Sequence, residues 1–340
     1  ERYIRLKGSL FMNSDNKPEK RSMAKARLYL FLLLCSVALT AALRVVAIFT
    51  CYDADIGYFM RGMTVPEIST VCCVLCCVAA VIFPQLFKKL SASSEGIYVN
   101  QHSGLEYFAT AYAAFVMLGG FVYELYHCIA DNTVGGMLSK AAALIESSAD
   151  NAYAARSYRI QAGIIIIGII ASAVSAIYFL LRLNEKRSRE WHVLVGFAPG
   201  LRGVSGLAAI YFDMTVEMNS PNKLILQAAL ISVMIYFVYE LRMLLGGKKA
   251  HPRAYVASGL VAVALSASAS IPLICGYFAG LISNSYFFTE SFFCFNMMIY
   301  IAFRTISFIR REYLTPAVDT DSVPKDGEAA PKEESPTGSE

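Results

Sequence analysis

The stretch LYLFLLLCSVALTAALRVVAIFT, residues 28–50, decides the fold because it contains a single charged residue. A helix needs roughly 17–25 mainly apolar residues to cross a bilayer. Seven similar runs follow, at residues 67–87, 106–129, 160–181, 191–212, 223–245, 254–278 and 287–309. The chain is 56% apolar, with a mean hydropathy of +0.49, whereas soluble domains are roughly 45–50% apolar. We therefore predict an all-α, polytopic transmembrane helix bundle of about eight spans.

Lys and Arg are concentrated in every second gap between these runs. The richer gaps hold 17 of them and the alternate gaps hold five; the richer gaps are residues 12–27, 88–105, 182–190, 242–253 and 310–311. Basic flanks of membrane spans are retained on the cytoplasmic side. The pattern predicts a multi-pass protein of the cytoplasmic membrane with both termini in the cytoplasm. It also supports the count of eight, because one missed span would scramble the alternation.

The two ends of the chain are predicted to lie outside the bundle. Residues 1–27 form a cytoplasmic segment. The codons for Lys7-Gly8, just upstream of Met12, could spell a purine-rich ribosome-binding stretch. We therefore expect that the native start is Met12 and that residues 1–11 are a translated leader. Residues 310–340 form a tail that is acidic and rich in Pro, Gly, Ser and Glu. Such a composition has too little apolar surface to fold, so we expect a disordered tail. It is either a docking segment for a protein partner or simply a solvated end.

An internal repeat is suggested by two similar segments. Arg44 precedes Tyr52-Asp53, and Arg202 precedes Tyr211-Phe212-Asp213, with offsets of 158 and 160 residues. Because four spans separate the two segments, the repeat would be a parallel one of four plus four. Its halves would be residues 28–181 and 182–309.

The sequence offers little support for cofactor or metal chemistry. Cys72-Cys73-Val74-Leu75-Cys76-Cys77 has the helical spacing of a soft-metal or redox site, but no His lies in that span, and Cys also packs well as a small apolar residue. No phosphate-binding loop, HExxH or GxSxG motif occurs. We expect no cofactor, no metal and no nucleic-acid partner. An intramembrane enzyme is the least favoured class, since no nucleophile and base occur at a recognisable spacing.

Ionisable residues inside the apolar runs give a sharper signal. A charge costs several kcal/mol in hydrocarbon unless it is paired or faces a cavity. The clearest cases occupy the first, third, fifth, sixth and eighth runs; they are Arg44, Glu124, Arg202, Glu240 and Arg304. Each is a candidate site residue for binding a solute or for joining helices.

Arg202 is the most informative of these residues because it follows Pro199 and Gly200 and precedes Gly203. Proline removes a helix hydrogen bond and glycines loosen the backbone, so we predict a broken fifth helix. Many transporters place a solute site at such a break. The alternative is a kinked helix whose Arg202 pairs with a carboxylate. Asp53 and Asp213 would face the outer side, either drawing cations to a vestibule or as ordinary loop acids.

The stretch from Phe212-Asp213 through Asn219-Ser220-Pro221 and Gln227 to Glu240-Leu241-Arg242 resembles a pattern in uncharacterised bacterial eight-span integral membrane proteins. The resemblance implies the eight-span fold and carries no activity.

Two functional hypotheses follow. A small-solute transporter would use Arg44 and Arg202 near the fifth helix to bind an anionic or zwitterionic solute. A non-transporting membrane scaffold or sensor would meet protein partners through its loops and tail. The lipid bilayer is the partner common to both.

Overall fold

The computed structural model describes residues 16–53, 57–60, 62–86, 104–147, 152–184, 190–212, 220–245, 251–283 and 285–313. Eight helices within these ranges are long and apolar enough to cross a membrane, and each overlaps one predicted run. The chain is therefore a multi-pass membrane protein with an all-α fold, as the hydropathy pattern predicted. The predicted leader, the acidic tail beyond residue 313 and Asp213 lie outside the described residues.

The helices follow the apolar runs closely. In chain order they are α1 (Asn16–Cys51), α2 (Thr64–Ile82, extended by a 3-10 turn at Phe83–Leu86), α3 (Gly104–Ala130), α4 (Thr133–Ser147), α5 (Ala152–Asn184), α6 (Glu190–Val195), α7 (Ala198–Phe212), α8 (Pro221–Leu245), α9 (Pro252–Phe278) and α10 (Ser285–Tyr313). The spans are α1, α2, α3, α5, α7 with the end of α6, α8, α9 and α10. We call the side where α1 begins and α10 ends the terminal side, and the opposite side the distal side.

A short antiparallel hairpin follows α1 on the distal side. Strand β1 (Tyr52–Asp53) pairs with β2 (Tyr58–Phe59). The backbone amide of Met60 donates to the carbonyl of Cys51 over 2.7 Å. The hairpin thereby satisfies backbone groups that the end of a helix leaves unpaired.

Helix α9 is the centre of the bundle. In its most apolar stretch 72% of the residues are buried, against 22% in α2. The small residues Ser258, Ala262, Ser266 and Ser270 lie at four-residue intervals along α9 and are all buried. At Gly259 an added Cβ would lie 3.2 Å from Cγ2 of Thr305 on α10 and closer still to its hydroxyl. Small residues therefore let α9 and α10 approach closely, as is typical of membrane helices.

The helices pack around α9 and α10. Helix α9 contacts α1, α2, α8 and α10, and α10 in turn contacts α3 and α8. A chain of neighbours, α3 with α5, α5 with α7 and α7 with α8, completes the far part of the bundle. Among the described residues α2 and α3 make few contacts, because α3 packs against α10 instead. The four-plus-four repeat stays a prediction.

Candidate functional site

The break in the fifth span lies just before α7. Helix α6 ends at Val195, a turn occupies residues 196–197, and α7 begins at Ala198. Pro199 is thus in the first turn of α7, where its missing N–H has no partner to lose. Gly200 and Gly203 lie within the helix, not at the break. At Gly203 an added Cβ would lie 2.8 Å from Cγ of Met234 on α8, so this glycine permits close packing between α7 and α8.

Arg202 lies at the middle of this span. It is nine residues from one end of the span Val193–Phe212 and ten from the other, or roughly 14 Å from each at 1.5 Å per residue. Its side chain is only 4% exposed. A cation at this depth needs partners inside the protein.

Three other helices supply those partners. Arg202 Nη2 donates to Oε1 of Glu124 on α3 over 2.7 Å, and Nη1 donates to Oε2 of Glu290 on α10 over 2.9 Å. Its Nε donates to Oγ of Ser172 on α5 over 3.1 Å, and the same hydroxyl donates to Oε2 of Glu124 over 3.1 Å. The guanidinium also lies 5.0 Å from the ring centre of Phe293. All three nitrogens of Arg202 are therefore engaged.

Glu290 depends on a glycine of the facing helix. At Gly206, one turn beyond Arg202, an added Cβ would lie 2.6 Å from Cδ of Glu290 and 3.1 Å from Nη1 of Arg202. The missing side chain leaves room for the carboxylate beside α7. Sequence reasoning did not single out Glu290, although an acid inside the predicted run 287–309 was the signal that could have found it.

A cavity of about 260 Å³ adjoins this charged group. Its polar end is formed by Glu124, Ser172 and Arg202, and its walls are mostly apolar and aromatic. Glu124 is the most accessible member of the ion-paired group, with 16% of its side chain exposed against 5% for Glu290. The cavity therefore meets the charges mainly at Glu124.

A second group of buried charges lies nearer the terminal side. Oε1 of Glu240 on α8 lies 3.2 Å from Arg182 on α5 and 3.4 Å from Nε of Arg304 on α10, and it accepts a 2.8 Å hydrogen bond from the Tyr300 hydroxyl. Arg304 is also 3.5 Å from Glu106 at the start of α3. Glu240 and Arg304, both predicted candidates, are thus brought together here and not at the cavity.

Two members of this second group were missed in the sequence. Arg182 and Glu106 fall at the ends of predicted runs, where a charge usually reaches water. In the structure Glu106 is buried and also lies 3.9 Å from Arg311. Between the two charged groups, the Tyr112 hydroxyl of α3 donates to Oδ1 of Asn296 on α10. This polar contact between α3 and α10 therefore lies between the two groups of buried charges.

Arg44 lies apart from both groups, near the distal end of α1. Its Nη2 donates to Oδ1 of Asn222 over 3.3 Å and to the carbonyl of Pro221 over 3.5 Å, and its guanidinium lies 6.0 Å from the ring centre of Phe59. These oxygens belong to an amide and a backbone carbonyl, not to carboxylates. Arg202 thus lines the cavity and pairs with two carboxylates, whereas Arg44 lies away from that cavity and donates to amide and carbonyl oxygens.

Asp53 belongs to the surroundings of Arg44. It lies in β1 beside Tyr52, outside the spans. Burial raises the pKa of Tyr52, a hydrogen bond with Asn222 acts in the opposite direction, and the charge of Asp53 raises it further. The predicted outer patch of acids is described only at Asp53, so its pairing with Asp213 stays a prediction.

No grouping of three or more His, Cys, Asp or Glu side chains within the described ranges could hold a metal ion. Comparison with protein-family models, with curated proteins and with solved structures finds no match for this chain.

Proposed function

We propose that this protein is a transporter of small solutes in the cytoplasmic membrane, with both termini in the cytoplasm. The observation that carries the proposal is a cavity inside the membrane-spanning bundle, which ends on an ion-paired group contributed by four separate helices. A site built from separate helices changes shape when those helices shift, and alternating access requires such shifts. The excess of Lys and Arg in the terminal-side gaps supports the orientation.

If these ion pairs only joined helices, no cavity beside them would be needed. Glu124, one member of the ion-paired group, is partly accessible from an open space of about 260 Å³. A cavity of roughly 150 Å³ already holds a benzene molecule. The space beside Glu124 is therefore large enough for a small organic solute.

The test should fill the cavity without disturbing the ion pairs. Replacing Arg202 by Gln would leave two buried carboxylates without their cation and would destabilise the fold. Gly120 on α3 is a better target, because it lines the cavity and an added Cβ there meets nothing within 4 Å. Its neighbour Gly119 is equally open but lies outside the cavity lining, so it provides a matched control.

The experiment screens the purified protein against metabolites and organic ions by thermal unfolding and then measures transport of the hits in proteoliposomes. We expect Gly120→Leu to abolish both stabilisation and transport, and Gly119→Leu to retain them. Equal transport by both variants would contradict the assignment of the site. The absence of transport for every stabilising solute would contradict the transporter proposal itself.

A further inference from the structure

The charges at the cavity do not balance. Arg202 is the single cation within reach of two carboxylates, Glu124 and Glu290, in the part of the chain that the structure describes. An uncompensated carboxylate at this depth is costly. The excess negative charge must be neutralised either by a proton on one carboxyl group or by a bound cation.

The same geometry argues against an anionic solute, one of the two solute classes that the sequence predicted, the other being zwitterionic. That expectation required an Arg202 guanidinium with nitrogens turned toward the ligand. Three of its five N–H groups instead donate to protein oxygens, at 2.7 Å, 2.9 Å and 3.1 Å, two of them carboxylate oxygens. An anion would also approach two carboxylates, so the site selects for positive charge.

The walls of the cavity determine what kind of cation fits. They include the rings of Tyr123, Phe288 and Phe292. Aromatic faces attract organic cations, quaternary ammonium groups in particular. Tyr123 and Phe292 are 49% and 45% exposed, so the cavity opens on the outer surface of the apolar spans. A ligand entering there must have an apolar body.

We propose that the cavity binds an organic monocation with an aromatic or apolar body, in exchange for one proton. This inference rests on the transporter proposal and names its substrate class. With no cation bound, one proton neutralises the Glu124 and Glu290 pair; when the cation binds, that proton passes to water and the carboxylate pairs with the ligand. The net charge of the site is unchanged, so the exchange leaves no uncompensated charge in the membrane.

Few other groups can compete for this proton. The groups that face the two carboxylates are Arg202 on α7, the Ser172 hydroxyl on α5 and the Cys294 thiol on α10. Arginine remains charged and serine remains neutral at any physiological pH. Cys294 is fully buried, and apolar burial keeps a thiol in its neutral form. The carboxyl pair is therefore the group that exchanges the proton.

The test uses benzyltrimethylammonium, whose charge does not depend on pH, as the probe. Binding to the purified protein is measured by calorimetry in buffers of different ionisation enthalpy, which also counts released protons. The matched probes are 3-phenylpropionate, which carries the opposite charge, and neutral 2-phenylethanol. We expect binding of the cation alone, release of one proton per cation, and an affinity that rises about tenfold per pH unit while the site is protonated.

Variants separate the contributions of charge and space. Glu124→Gln should abolish proton release and weaken cation binding at least tenfold, because Arg202 and Glu290 then balance each other. Gly120→Leu should abolish binding by filling the cavity, and Gly119→Leu should bind as the parent does. Because Gly120→Leu leaves the ion pairs intact, it keeps the test valid even if Glu124→Gln fails to fold.

Three results would overturn the inference: preference for 3-phenylpropionate, cation binding with no proton release, or binding that survives Gly120→Leu. Failure to bind any of the three probes would also overturn it. If the solute screen nevertheless found a transported solute that Gly120→Leu blocks, the transporter proposal would stand and the substrate class alone would be wrong.

Discussion

Gly206→Ala should destabilise the protein by forcing apart an ion pair that the glycine accommodates. An added Cβ would lie 2.6 Å from Cδ of Glu290, inside the 3.0 Å limit that real Cβ atoms keep. Both the backbone of α7 and the buried carboxylate occupy restricted positions, so Glu290 must move and its 2.9 Å bond to Arg202 must lengthen. The substitution therefore weakens the ion pair between Arg202 and Glu290, although residue 206 itself makes no bond to either.

The magnitude follows from two opposing effects. Breaking a buried ion pair costs about 3–5 kcal/mol, whereas alanine is favoured over glycine within a helix by about 1 kcal/mol. The free energy of unfolding should therefore fall by roughly 2–4 kcal/mol. The same substitution at Gly120, where nothing lies within 4 Å, should leave stability unchanged or raise it by up to about 1 kcal/mol.

A double-mutant cycle measures this effect directly. The unfolding free energy is obtained by titrating the protein in mixed micelles with sodium dodecyl sulfate and following helix loss by circular dichroism. Gly206→Ala is made in the parent and in Glu290→Ala, in which the obstructing carboxylate is gone. We expect the cost to appear in the parent and to be replaced in Glu290→Ala by the gain of about 1 kcal/mol from alanine, which gives a coupling of roughly 3–5 kcal/mol.

Two outcomes would refute this reasoning. An equal cost in both backgrounds would mean that Gly206 is needed for a reason unrelated to Glu290. No cost in the parent would mean that Glu290 can move without losing its ion pair with Arg202, so Gly206 would not be required for that pair.

The remaining predictions concern other parts of the bundle. Tyr300→Phe removes the 2.8 Å hydrogen bond to Glu240 and should lower the unfolding free energy by roughly 1–3 kcal/mol, measured in the same micelles. Gly259→Ala should cost about 1–3 kcal/mol through overpacking, because the new Cβ meets Thr305 of α10. Deleting residues 315–340 should leave solute transport in proteoliposomes unchanged, because the cavity lies wholly within the helices.

Each of these three has an outcome that would contradict it. Unchanged stability of Tyr300→Phe would show that the two arginines alone satisfy the carboxylate. A neutral Gly259→Ala would mean that α9 and α10 can separate at no cost. Loss of transport on deleting the tail, with the bundle still folded, would favour the scaffold or sensor hypothesis over a transporter.

Hydropathy was sufficient to predict the helices because the bilayer imposes a length and a composition on every span. All eight predicted runs overlap a helix that could cross a membrane. The two-residue strands β1 and β2 were beyond such a prediction, since they arise from local hydrogen bonding at the end of α1. The position of the helix break was predicted only to within a few residues, because proline begins helices as readily as it interrupts them.

Which buried ionisable residues pair with one another could not be predicted from the sequence. The sequence by itself identified Arg202, Glu124, Glu240 and Arg304 as buried ionisable residues, because a charge within an apolar run is visible in one dimension. Which carboxylate meets which arginine depends on helix neighbours and on rotation about each helix axis, and hydropathy contains neither. Only the tertiary structure placed Glu124 with Arg202 on one cavity and Glu240 with Arg304 in a separate group. The sequence therefore determined that charges are buried, and the packing of α3, α5, α7 and α10 decided the net charge that a solute would meet.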